Sequence, residues 1–100
     1  MFDYSMNEIK SNEKNALFFM EFKDFSNAEK ILKKNINVRT DSILTYDLLI
    51  RIYHHKNDLS SLIRLLNTGI KNTDKKTFYR RLKKKIMLYK IFNDIDMVDA

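Results

Sequence analysis

Residues 24–57, laid over residues 58–91, match at a shift of 34. Asp24/Asp58, Ser26/Ser60, Leu32/Leu66, Ile36/Ile70, Leu48/Leu82, Ile52/Ile86 and Lys56/Lys90 are identical, and Phe25/Leu59, Lys30/Arg64, Ile31/Leu65 and Leu44/Phe78 are conservative pairs. Four of the seven identities are Leu or Ile at helical rather than strand spacing. A unit of this length that recurs as helix–turn–helix must bury its apolar face on its neighbours, which predicts stacked helical hairpins. The remaining composition agrees. There is no Pro and one Gly in 100 residues, so glycine-dependent hairpin turns and phosphate-cradling loops are disfavoured. With 44% hydrophobic residues the chain has material for one core.

Five helices can be drawn. The first covers residues 8–23, with Leu17, Phe18, Met20 and Phe22 crowding its second half. Asp24 or Ser26 caps a second that runs to about residue 35. Asp41 or Ser42 opens a third, with Leu44, Leu48 and Ile52 at four-residue steps. Asn57 and Asp58 end it, and a fourth follows, with Gly69 expected in the left-handed conformation that closes many helices. Thr73 or Asp74 caps a fifth to about residue 92, and Asn93 and Asp94 are expected to turn the chain as Asn57 and Asp58 do. The expected architecture is one all-α domain of about two and a half stacked antiparallel hairpins, at roughly residues 8–36, 41–71 and 74–100. Phe2, Met6 and Ile9 would cover the N-terminal end, and a partner the open C-terminal one.

On this frame Tyr46, Leu49, Tyr53, Asn57, Asp58 and Leu59 fall in the central hairpin where the tetratricopeptide repeat has its signature residues. Ala16, Phe19, Lys23, Asp24, Phe25 and Ala28 do so in the first hairpin, and Leu82, Ile86, Tyr89, Asn93 and Asp94 in the third. Over residues 12–98 the chain therefore resembles that family, with the half-a-TPR variant as the looser relative. The resemblance implies a right-handed superhelical array that binds other macromolecules, and, through the half-a-TPR variant, a ribonucleoprotein or ribosome-associated setting. Ile50 and Leu62 depart from it, standing where the family has small residues. No proline ends a repeat, and the variant's tryptophans are missing.

Charge is unevenly placed. Residues 1–58 carry nine bases and nine acids, residues 59–93 carry ten bases and only Asp74, and residues 94–100 add Asp94, Asp96 and Asp99. The positive field is therefore regional. Lys76, Arg80, Arg81, Lys83, Lys84 and Lys90 on the fifth helix are the expected contacts for RNA or an acidic protein surface. An ordinary solvated helix face is the plainer alternative. A rival uses residues 58–85 as a DNA-binding helix–turn–helix, with Thr77, Arg80, Arg81 and Lys84 facing the major groove. Against it, the link from residue 68 to 74 exceeds the usual ~3–4-residue turn.

Phe18, Phe19, Phe22 and Phe25 are expected as core, with Phe18 and Phe22, together with Tyr46, Ile95 and Val98, as the alternative protein interface. His54 and His55, adjacent on a helix, diverge too far to share a metal. Asp47 is expected to be exposed and paired with Arg51. No cysteine, glycine-rich phosphate loop or ligand cluster is present, so no cofactor, metal, small-molecule substrate or catalysis is expected. No apolar run approaches the ~20 residues of a membrane span, and Asp3 and Glu8 argue against a secretory signal. The expected location is cytoplasmic, with the nucleus as alternative. Protein is the first expected partner, RNA the second and DNA the third.

Overall fold

The structure, a computed structural model, describes the backbone of residues 6–99 and the side chains of residues 6–91. These residues form five helices and no strand: α1 (Met6–Glu21), α2 (Phe25–Asn37), α3 (Ile43–His55), α4 (Leu59–Asn72) and α5 (Lys76–Asp99). Each helix packs on the next, and α1 also reaches α3. The fold is an all-α array of two antiparallel hairpins, α1/α2 and α3/α4, continued by α5 against α4.

The 34-residue period is visible bond for bond in the hairpin turns. Lys23 and Asn57 both adopt left-handed backbone, at φ 58° and 56°. Asp24 N donates to Phe19 O and Asp58 N to Tyr53 O, each at 2.9 Å, and Lys23 N and Asn57 N reach back to Met20 O and His54 O. This double closure satisfies carbonyls that a helix end would leave bare. Asp24 then caps α2 by accepting from Asn27 N, and Asp58 caps α4 by accepting from Ser61 N. Ser61 Oγ and Ser61 N together hold the Asp58 carboxyl below its usual range.

Between hairpins the equivalence shortens by one residue. Thr40 and Thr73 are both buried, and each hydroxyl accepts from the backbone N–H two residues on, of Ser42 and Lys75. Six residues beyond them stand the buried Tyr46 and Tyr79, with ring centroids 6.0 Å apart. The third unit is thus offset by 33 residues, and the Leu48/Leu82 match at 34 pairs a buried side chain with a half-buried one.

The core centres on α3, which buries Thr45, Tyr46, Leu48, Leu49, Ile52 and Tyr53 because helices flank it on several sides. Ala16 and Ala28, both fully buried, let α1 and α2 approach closely. The residues 34 further on are the bulkier Ile50 and Leu62.

Several expectations are corrected. Gly69 has no positive φ: it lies inside α4, buried, with the Tyr79 ring against it. Asn93 and Asp94 do not turn, since α5 continues to Asp99. Tyr46 is core rather than interface. Phe18 and Phe22 are exposed rather than core, whereas Phe19 and Phe25 pack on the core as expected. Ile9 is buried and Met6 exposed, while Phe2 lies outside the described residues.

Candidate binding surface

Two open depressions flank α5, because α5 leans on α4 alone and touches α3 only near its own start. On one side a groove of about 600 Å³ runs between α4 and α5. Ile70, Met87, Leu88 and Ile91 are its apolar lining, and Asn67, Arg80, Lys83 and Lys84 its polar lining. On the other side a cavity of about 470 Å³ lies over α4 between α3 and α5. Ile50, His54, Leu59, Leu62, Leu82, Lys85, Ile86 and Tyr89 are among its walls. Ile50 and Leu62, the two bulky departures from the hairpin pattern, therefore line the place where the array opens.

Of the expected basic contacts, Arg80, Lys83 and Lys84 come together on the α4–α5 groove. Arg81 and Lys90 are exposed on α5 but line neither depression. Lys76 acts locally, since its Nζ donates to Ile70 O at 2.5 Å and so caps the C-terminal end of α4. Ile95 and Val98 lie beyond the described side chains. Leu17, Phe18 and Phe22 form a separate exposed apolar patch at the end of α1, with the Phe18 and Phe22 rings 5.0 Å apart.

The residue-level surroundings of the other candidates are ordinary. His55 stacks on Phe25 at 4.2 Å, joining α2 to α3. Asp47 is half-buried, and burial followed by the Asp47 charge pushes the Tyr79 phenol up to about 12. Among the described residues there is no cluster of three or more His, Cys, Asp or Glu that could hold a metal, and no helix long and apolar enough to cross a membrane.

Sequence reasoning missed a buried polar network. Glu13, only 4% exposed, accepts from Ser42 Oγ and Thr45 Oγ1 at 2.5 and 2.6 Å. Asn35 Nδ2 donates to Thr45 Oγ1 and Ile9 O, and Asn12 Nδ2 donates to Asn35 Oδ1. The network ties α1, α2 and α3 together, with Glu13 Oε2, Thr45 Oγ1 and Asn35 Oδ1 among its acceptors. It acts as a clamp across the three helices. A signal existed: Glu13 interrupts the Ile9–Ala16 stripe, and Asn35 extends the Ala28–Leu32 stripe.

The link between α4 and α5 is residues 73–75, as short as a helix–turn–helix requires. Yet α5 runs alongside α4 rather than across it. Tyr79 meets Gly69 near one end, while Tyr89 shares a wall with Leu59 at the other.

The chain belongs to the class of all-α hairpin arrays. Compared with known proteins, it matches no family model, no curated protein and no solved structure.

Proposed function

We propose that this chain is a non-enzymatic binding module, related in design to tetratricopeptide hairpin arrays, whose α4–α5 groove takes an acidic macromolecular partner. The observation that carries it is the juxtaposition of Arg80, Lys83 and Lys84 with the apolar lining of Ile70, Met87, Leu88 and Ile91. A lining both aliphatic and basic suits a helix that is apolar on one side and acidic on the other. Nucleic acid would supply phosphates for the basic residues but would look for aromatic platforms, which this groove lacks. A ribonucleoprotein or ribosome-associated assembly inside the cell offers both kinds of acidic surface and is the favoured setting.

The test is a salt titration of the chain against an acidic amphipathic peptide, a structured RNA and a DNA duplex. Binding to the peptide is expected, weakening as salt rises. Changing Arg80, Lys83 and Lys84 to Glu should lower that affinity at least tenfold while leaving the helical signal intact. Tighter binding to RNA would make these three residues phosphate contacts, and preference for one duplex would favour the helix–turn–helix. No binding to any of the three would end the proposal.

A further inference from the structure

The fifth helix carries two opposite charges end to end. Residues 76–91 contain Lys76, Arg80, Arg81, Lys83, Lys84, Lys85 and Lys90 and no acid, whereas residues 92–99 contain Asp94, Asp96 and Asp99 and no base. The backbone is one helix throughout, so at 1.5 Å per residue the two blocks share a rod of about 36 Å. Toward the end of the basic block lies the apolar patch of Met87, Leu88 and Ile91, with Leu88 46% and Ile91 53% exposed.

We infer that the occupant of the α4–α5 groove is α5 of a second copy of this chain, laid antiparallel along the first. This rests on the reading of that groove as a protein-binding surface and names its partner. The charge order selects the orientation. Crossing near Leu88 sets position 80 level with position 96 of the other copy, and positions 83 and 84 within a turn of position 94. Residues 80–84 of each copy then lie along the acidic end of the other, twice, by symmetry. A parallel pairing would set base against base and acid against acid, which costs rather than stabilises. The contact is self-complementary and closes at two copies, leaving no free half to recruit a third.

The experiment is the solution mass of the full chain by sedimentation equilibrium across concentration and salt. A mass twice the 12.0 kDa of one chain is expected, reverting toward one chain as salt rises. The pair Arg80→Glu and Lys84→Glu should give a monomer with unchanged helicity, as should the triple Asp94→Lys, Asp96→Lys and Asp99→Lys. Mixing the two variants should restore the doubled mass, because each reversed block then faces its complement. Leu88→Ser with Ile91→Ser removes the apolar patch without touching charge and should also give a monomer. A wild-type chain that stays monomeric, or a dimer that both charge reversals leave intact, overturns the pairing. A monomer that still binds the acidic peptide through Arg80, Lys83 and Lys84 sinks the self-association alone. A monomer that binds neither peptide nor nucleic acid sinks the binding module as well.

Discussion

Gly69 shows how one residue can serve two different physical ends. A Cβ there would sit 2.9 Å from Tyr79 Cδ2 and 3.4 Å from Tyr46 Cδ1. Both rings are buried and have nowhere to retreat. Gly69→Ala should gain ~1 kcal/mol of helix propensity and lose ~1–3 kcal/mol to overpacking. A lower midpoint in urea unfolding is the expected outcome. Tyr79 offers the reverse case, since its buried hydroxyl has no hydrogen-bond partner among the described residues, whereas Tyr46 Oη donates to Thr40 O at 2.9 Å. Tyr79→Phe should be neutral or stabilising, and Tyr46→Phe should cost ~1 kcal/mol, measured by the same unfolding curves. Sequence reading placed Gly69 correctly near a helix end but gave it the wrong purpose. A missing side chain and a left-handed backbone call for the same letter, and only the neighbouring ring distinguishes them. The same holds for Asn35, 34 residues earlier, where a polar clamp fills the place that Gly69 leaves to a tyrosine.

Helix boundaries were more legible than residue roles, and the turns explain why. Among the described residues Lys23, Arg39 and Asn57 are left-handed, and of these the lysine and the arginine are residue types that this conformation disfavours. Lys23→Gly and Arg39→Gly should therefore each stabilise the chain by ~0.5–1 kcal/mol, read as a rise in Tm. An unchanged or lower Tm would mean that those side chains make contacts worth more than the backbone relief. The Asp24 and Asp58 turns could be read from the period because backbone closure and cap recur together. Asn93 and Asp94 repeat the letters of Asn57 and Asp58, yet the helix runs through them. The dipeptide permits a left-handed turn, but reversal is fixed only when the next helix has a core to land on, as α4 does through Leu62, Leu65 and Leu66. The basic groove was half legible in the same way. Its charges were plain in the sequence, but the aliphatic lining depends on how α4 sits beside α5.

At the scale of the whole molecule, the joint between hairpins is partly electrostatic. Glu29 of α2 accepts from Tyr53 Oη on α3 at 3.0 Å and pairs with Lys56 Nζ, at the C-terminal cap of α3, at 2.7 Å, and with Lys33 Nζ at 3.0 Å. Partial burial pushes the Glu29 pKa up, but the hydrogen bonds from Lys56, Lys33 and Tyr53 outweigh it, so the net value lies below the ordinary 4.5. Burial and the same carboxylate push the Tyr53 phenol upward. A carboxyl depressed in the folded chain stabilises fully above its unfolded value and loses that contribution as pH falls through the folded one. Tm should therefore decline below about pH 4.5, and Glu29→Gln should begin lower at neutral pH and lose less on acidification. Parallel pH profiles for the two proteins would show that Glu29 is not the linking group.

Among the described side chains of α5, Tyr79 alone is fully buried and lies near the start of the helix, with half-buried Leu82 and Ile86 beyond it. Mechanically this makes α5 a lever hinged on Gly69. Ile91 stands twelve residues past the hinge, about 18 Å along the axis, so a tilt of about 10° would carry it about 3 Å. Small adjustments in how one tyrosine ring seats on one glycine are thus magnified at the basic, apolar far half. A molecule seated there would be felt at the core as a change of angle.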